Sequence, residues 1–88
     1  MIKYRINIID DEKQLNDLVR TYLEKEGYYV YSFYTYDEAL LHIEDDVHLW
    51  IVDVMLDKES GFELLNQIKA VKPEMPIVFM SARDQELD

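Results

Sequence analysis

The chain has 88 residues, of which 49% are hydrophobic, 9 are basic and 19 are acidic, for a net charge of −10. The hydrophobic fraction predicts one small folded domain and argues against a disordered tail, while the acidic excess argues against a nucleic-acid surface, because phosphate binding needs clustered Lys and Arg. Cysteine is absent, which excludes disulfides and thiolate chemistry. With no secretory signal at its start and no apolar run near the roughly 18 residues of a membrane span, the chain is expected in the cytoplasm.

The first predicted strand and helix carry two adjacent acids at their junction. Residues 4–9 form a short β-prone run that ends in Asp10 and Asp11. Asp11 and Gln14 have the spacing of a capping box, which predicts a helix that begins near residue 12 and ends at Gly27. The apolar positions that recur at helical spacing are Leu15, Leu18, Val19 and Tyr22.

The second strand and helix repeat this arrangement. Residues 28–33 are rich in aromatic and β-branched side chains, which favours a strand. Thr35 and Glu38 form a second capping box, so we expect a helix to follow and to end near residues 44–46. Its apolar positions are Tyr36, Ala39, Leu40 and Ile43.

A single aspartate, Asp53, interrupts the most apolar stretch of the chain, residues 49–56. The length and β-branched content of the stretch predict a strand that is buried on both faces. An ionised carboxylate is costly there unless it lies at the strand's end and has a partner. Loop residues follow at 57–61, where Gly61 permits a tight turn. We therefore place Asp53 at the carboxyl end, the edge at which open α/β sheets bind ligands.

A third helix and a fourth strand complete the pattern. Ser60 and Glu63 again have capping-box spacing. The apolar positions of the helix are Leu64, Ile68 and Val71. Pro73 and Pro76 end it and lead into a strand at 77–80. Strands that alternate with helices through short connections predict right-handed crossovers and a parallel sheet in a single α/β domain.

Acidic and hydroxyl side chains follow three of the four predicted strands. Asp10 and Asp11 follow the first strand, Asp53 ends the third, and Ser81 follows the fourth. If these strands are neighbours the carboxylates converge, and two carboxylates about 5 Å apart repel by roughly 3 kcal/mol at an effective dielectric of about 20. Three acids then need a cation or a raised pKa. Oxygen ligands without His or Cys favour Mg²⁺ or Mn²⁺.

Such a site has a defined chemistry, but each of its residues also has a plainer explanation. A carboxylate beside a Mg²⁺ that holds phosphate oxygens can act as a nucleophile and form an aspartyl phosphate, to which Ser81 would donate a hydrogen bond. Taken singly, Asp11 can be a helix N-cap, Asp10 a turn residue and Ser81 a cap for a following helix. Asp53 has few structural explanations, and the joint placement on one edge favours the chemistry.

The motifs resemble those of the receiver domain of two-component response regulators. The matching stretches are Ile-Ile-Asp-Asp-Glu at 8–12, Val-Asp-Val-Met-Leu at 52–56 with Ser-Gly at 60–61, and Phe-Met-Ser-Ala-Arg at 79–83. The resemblance implies a flavodoxin-like fold with a doubly wound parallel sheet of strand order 2-1-3-4. Residues 1–88 would be the N-terminal part of that domain, with the usual fifth strand and last two helices missing.

The resemblance also implies a role for each matching residue. Asp53 would accept a phosphoryl group from the phosphohistidine of a sensor histidine kinase. Asp10, Asp11, Asp53 and the backbone carbonyl of Met55 would hold Mg²⁺, and Ser81 would be the hydroxyl that turns toward the phosphate. The loop register and the closing Ser-Ala-Arg look most like the transcription-factor branch with a winged-helix output domain, so DNA would be bound only outside this segment.

The chain departs from the family pattern in two respects. Asp57 stands where many members have proline, which adds a charge near the site. The strand-five lysine that pairs with the phosphoryl group is missing, and Lys58, Lys69 and Lys72 do not match its position. Without the last helices, apolar surface beside the first helix would be uncovered. We therefore expect a homodimer or segment-swapped dimer that buries strand four or this face.

The sequence leaves two other functions open. A pseudo-receiver would keep the fold and act as a dimerisation or interaction module without phosphotransfer. A phosphatase of the haloacid dehalogenase type would turn over phosphate esters, but its acids resemble Asp-x-Asp after the first strand, whereas Asp10 and Asp11 are adjacent. The receiver itself is not expected to be an enzyme beyond self-catalysed phosphotransfer and dephosphorylation.

Overall fold

The computed structural model describes residues 3–56 and 61–80, in which strands and helices alternate as predicted. In chain order the elements are β1 (Arg5–Ile9), α1 (Lys13–Lys25), β2 (Tyr29–Phe33), α2 (Tyr36–Leu40), β3 (Leu49–Asp53), α3 (Gly61–Val71) and β4 (Ile77–Met80). None of the helices in this part of the chain is long and apolar enough to cross a membrane.

The four strands form one parallel sheet in the order β2-β1-β3-β4, as predicted. Ile9 at the end of β1 lies beside Phe33 of β2 on one side and Val52 of β3 on the other. Asp53 at the end of β3 lies beside Met80, the last residue of β4. The carboxyl ends of β1, β3 and β4 therefore meet at one edge, and this brings the acids that follow β1 and end β3 together.

The hydrophobic core lies between the sheet and the helices α2 and α3. Its fully buried members include Trp50 and Val52 of β3 and Leu64 and Ile68 of α3. The prediction that β3 is buried on both faces is only half right, because Leu49 and Ile51 are partly exposed on the opposite face of the sheet. The side chains that β3 presents to α2 and α3 therefore form the continuous core.

Two predicted elements are longer than the observed ones. β3 ends at Asp53: the Val54 amide still donates to the Met80 carbonyl at 3.0 Å, but the Val54 carbonyl turns out of the sheet and accepts from the Gly61 amide at 2.8 Å. α2 ends at Leu40, where the chain tightens into three-residue turns such as that between the His42 amide and the Ala39 carbonyl (2.9 Å). The earlier end of β3 places Asp53 at the last strand position.

The predicted helix caps have different outcomes. At α2 the Thr35 hydroxyl accepts from the Glu38 amide at 3.1 Å, as expected. At α1 the N-cap is Glu12, with no side-chain cap hydrogen bond, so the expected capping role of Asp11 is wrong. Gly27 follows α1 with φ of +100°, a conformation that L-residues rarely adopt. Asp11 is thus outside the helix and beside the sheet edge.

The buried face of α1 also differs from the predicted one. Leu18 and Tyr22 are predicted to face inward, yet they are 66% and 64% exposed. The fully buried position of α1 is Asn16, and Val19 and Leu23 follow it at helical spacing. The inward face is therefore rotated by about one residue from the apolar pattern, and its most buried side chain is polar.

Candidate functional site

Three carboxylates meet at the carboxyl edge of the sheet. Asp10 follows β1, Asp11 comes next, and Asp53 ends β3, and one carboxylate oxygen from each lies within 4.8 Å of the others. Asp10 and Asp53 are only 1% and 3% exposed, whereas Asp11 is partly exposed. The acids that were predicted to converge do so, in a setting that shields two of them from water.

Asp10 is under electrostatic strain in this cluster. Its Oδ1 accepts a hydrogen bond from the Glu12 amide at 2.9 Å, while Oδ2 is buried and accepts none among residues 3–56 and 61–80. Burial raises the pKa of this carboxyl to about 6, and the negative charges of Asp53 and Asp11 add to the rise against the lowering effect of the Glu12 amide. A cation bound between the carboxylates would relieve this strain.

Asp53 is held by the chain that follows it. Its Oδ1 accepts from the amide of Met55 at 3.1 Å. The start of α3 packs directly on its backbone: a Cβ added to Gly61 would overlap the Asp53 carbonyl oxygen and would lie 3.0 Å from Cγ1 of Val52. Glycine at this position therefore reflects a close approach of the helix to the strand end, rather than the turn conformation that the sequence suggested.

A residue that the sequence analysis did not identify fixes the backbone at the acidic turn. The side-chain nitrogen of Asn16, Nδ2, donates to the carbonyl oxygens of Asp10 (3.0 Å) and Phe33 (2.8 Å). The Phe33 carbonyl also accepts from the Asp10 amide at 3.2 Å. The available signal was the helical spacing of Asn16 from Val19 and Leu23, which would have placed this amide on the inward face.

The donor atoms fit a hard divalent cation. All three side chains offer carboxylate oxygens, and one of these, Asp10 Oδ2, is buried without a hydrogen-bond partner among the described residues. Oxygen-rich sites with few protein ligands suit Mg²⁺, which keeps several waters and commonly also holds phosphate oxygens. The arrangement can therefore hold a cation next to the Asp53 carboxylate.

The other residues that the sequence assigns to the site or compares with its missing lysine are Met55, Ser81 and three lysines. Met55 lies beside Asp53 through its amide, and the cation-binding role of its carbonyl stays a prediction. Ser81 and Lys58 lie outside the described residues. Lys69 donates to the carbonyls of Pro73 and Met75, and Lys72 donates to that of Asp45, so the contacts found for these two lysines lie away from the carboxylates.

A parallel sheet of order 2-1-3-4 with an acidic cluster at its carboxyl edge is the arrangement of a flavodoxin-like domain, in which ligands bind at that edge. The sequence matches the family model of the response regulator receiver domain over residues 6–88. The chain belongs to this family, and the predicted family and fold are confirmed. It is a receiver domain of two-component, phosphorylation-based signalling.

Named relatives agree with this assignment. The transcriptional regulatory protein CssR of Bacillus subtilis is 40% identical over 87 residues, which are 99% of this chain and 39% of CssR. The regulatory protein VanRc of Enterococcus gallinarum is 39% identical over 85 residues, 96% of this chain and 36% of VanRc. The chain thus spans less than half the length of these curated relatives.

Solved structures show the same fold. A CheY-like response regulator receiver domain protein from Methanospirillum hungatei superimposes with a TM-score of 0.88 at 30% identity, covering 96% of this chain and 68% of that one. The response regulator TrrA of Thermotoga maritima, solved in complex with Mg²⁺ and BeF, has a TM-score of 0.85 at 28% identity, covering 94% of this chain and 72% of TrrA.

Proposed function

We propose that Asp53 accepts a phosphoryl group from the phosphohistidine of a sensor histidine kinase in a Mg²⁺-dependent reaction. The observation that carries the proposal is the meeting of Asp10, Asp11 and Asp53 within 4.8 Å at the carboxyl edge of the sheet. The family relative TrrA, which was solved in complex with Mg²⁺ and BeF, supports the choice of cation.

The chemistry follows from how Asp53 is held. One of its oxygens accepts from the Met55 amide, which orients the carboxylate and leaves its other oxygen to attack phosphorus. The new O–P bond forms as the P–N bond to the histidine breaks, and the imidazole leaves with its electron pair and takes up a proton. Bound Mg²⁺, held by Asp10, Asp11, Asp53 and the Met55 carbonyl, would neutralise charge on the transferring phosphoryl oxygens.

The consequence of phosphorylation would be a regulatory output. We propose that Ser81 donates a hydrogen bond to the phosphoryl group and that this contact switches a DNA-binding output of the winged-helix type, bound to DNA outside this segment. The names of two relatives, the transcriptional regulatory protein CssR and the regulatory protein VanRc, support this direction.

We propose that the protein acts in the cytoplasm, where it would encounter the phosphohistidine of the kinase.

Intact mass spectrometry after incubation with Mg²⁺ and acetyl phosphate tests this function. We expect one phosphoryl adduct on the wild-type protein and none when Mg²⁺ is chelated. Asp53→Asn should abolish the adduct, because the amide is a poor nucleophile. Asp46→Asn is the matched control, since Asp46 is fully exposed and lies between α2 and β3, away from the carboxyl edge.

The same experiment separates the alternatives. An Asp53→Asn protein that still gains the adduct would contradict the assigned acceptor. A wild-type protein that gains none would favour the pseudo-receiver. A phosphatase would be favoured by a second measurement, in which the protein continues to release phosphate from an ester substrate.

A further inference from the structure

Asn16 joins three elements next to the acidic cluster. Its side chain is fully buried in the middle of an otherwise amphipathic helix. The amide nitrogen donates to two main-chain carbonyls, those of Asp10 after β1 and Phe33 at the end of β2. These two hydrogen bonds offset part of the loss of water that burial of the side-chain amide entails. These contacts connect α1 to the ends of two neighbouring strands.

The hydrogen bonds fix the backbone from which the acids project. Asp10 is held through its amide, which donates to Phe33, and through its carbonyl, which accepts from Asn16. Its carboxylate is fixed in turn by the Glu12 amide. Both main-chain polar groups of Asp10 and one of its carboxylate oxygens are thus restrained. The position of the Asn16 side-chain amide therefore sets the direction of the Asp10 side chain and the position of the Asp11 main chain that follows.

The next residue of α1 reinforces the same junction. The Tyr34 hydroxyl donates to Asp17 Oδ1 at 2.6 Å, which holds the residue after β2 against the helix. This hydrogen bond lowers the pKa of Asp17 and raises the pKa of Tyr34. Two consecutive positions, Asn16 inside and Asp17 outside, thus attach α1 to the end of β2.

We infer that Asn16 is a positioning residue for the cation site: its amide sets the main chain of Asp10 so that the carboxylates of Asp10 and Asp11 converge with Asp53. The inference rests on the proposed Mg²⁺ site. Groups that orient metal ligands without touching the metal typically change affinity about 10- to 100-fold when they are removed. Asn16 acts through the Asp10 carbonyl, so its effect is on Mg²⁺ affinity beyond its effect on folding.

A second buried asparagine offers a matched control. Asn7 lies in β1, before Asp10 in the chain, and is also 0% exposed. Neither polar atom of its side chain has a hydrogen-bond partner in the part of the chain that the structure describes. Asn16→Leu and Asn7→Leu therefore make the same chemical change at the same burial, but only the first removes contacts to the acidic turn.

Isothermal titration calorimetry with MgCl₂ tests the inference on the purified protein, at a temperature where thermal denaturation shows each variant to be folded. We expect Asn16→Leu to weaken Mg²⁺ binding about tenfold and Asn7→Leu to leave the dissociation constant within about twofold of the wild type. Asn16→Ala and Asn7→Ala form a second pair, for use if leucine does not fit either position.

Three outcomes are decisive. Wild-type affinity in the Asn16 variants would overturn the positioning role and leave the proposed function intact. Equal weakening in the Asn7 variants would also overturn it, because the loss would then follow general destabilisation. A wild-type protein that binds no Mg²⁺ would overturn the proposed cation site itself, and this inference with it.

Discussion

Asp10→Asn should stabilise the protein in Mg²⁺-free buffer at neutral pH and should abolish Mg²⁺ binding. The amide has the shape of the carboxylate and keeps an oxygen to accept from the Glu12 amide, but it places no charge in the buried site. Folding raises the pKa of Asp10 from 3.8 to about 6, and a tenfold change in a protonation equilibrium corresponds to about 1.4 kcal/mol. We therefore expect a gain of about 1–3 kcal/mol in the free energy of unfolding.

The pH dependence has a definite sign. A carboxyl whose pKa is raised on folding keeps its proton in the native protein between pH 3.8 and about 6. Its contribution to stability is therefore fully present below pH 3.8 and is lost as the pH rises through about 6. The stability advantage of Asp10→Asn should be absent at the acidic end of this window and complete above it.

Urea denaturation of both proteins across this pH range measures the difference, with and without Mg²⁺. Saturating Mg²⁺ should stabilise the wild type through linkage to the folded state and should not stabilise the variant. Asp46→Asn should follow the wild type in both buffers. A variant that is less stable than the wild type at neutral pH without Mg²⁺ would contradict the electrostatic strain assigned to Asp10.

Gly61→Ala should both destabilise the fold and impair the site. The added methyl group would overlap the Asp53 carbonyl oxygen, and because the obstacle is main chain, α3 or the end of β3 must shift. Overpacking of this kind costs about 1–3 kcal/mol and occasionally more, and we expect about 3 kcal/mol, a large part of the roughly 5–15 kcal/mol typical of folded domains. The shift would also move Asp53 away from the other acids, which should weaken Mg²⁺ binding and slow adduct formation.

Gly27→Ala is the natural control for this substitution. Gly27 has φ of +100° and open space around its missing Cβ, so alanine there would cost about 1–2 kcal/mol in backbone strain without touching the site. Denaturant unfolding and Mg²⁺ titration of both variants separate the two effects. If Gly61→Ala lost stability but bound Mg²⁺ like the wild type, the assigned contact with Asp53 would not matter for the site.

Much of the fold and the acidic cluster could be predicted because local signals agreed with the global arrangement. The alternation of strand and helix patterns predicts a parallel sheet, and a parallel sheet brings every strand's carboxyl end to one edge. Asp53 could be identified as a site residue because an ionised carboxylate inside an apolar strand is energetically costly unless it has a partner. Asp10 and Asp11 then followed from their position after the first strand, and the structure brings all three together.

Other features depend on packing that periodicity does not record. The apolar pattern of α1 selected Leu18 and Tyr22, but the helix is oriented by hydrogen bonds of its one fully buried side chain, Asn16. The predicted end of β3 is too late because residues 54–56 are as apolar as the strand itself, and Leu56 continues into the core without belonging to the ladder. The need for glycine at position 61 follows from the close approach of the start of α3 to the main chain of Asp53, which the sequence pattern does not record.

The location of the phosphoryl group tests the central claim most directly. After phosphorylation with acetyl phosphate and Mg²⁺, borohydride reduces an acyl phosphate to the alcohol, so the acceptor aspartate is recovered as homoserine in a proteolytic peptide. We predict homoserine at position 53 and unchanged aspartate at positions 10 and 11. Homoserine at either of those two positions, with Asp53 unmodified, would contradict the roles assigned to the three carboxylates.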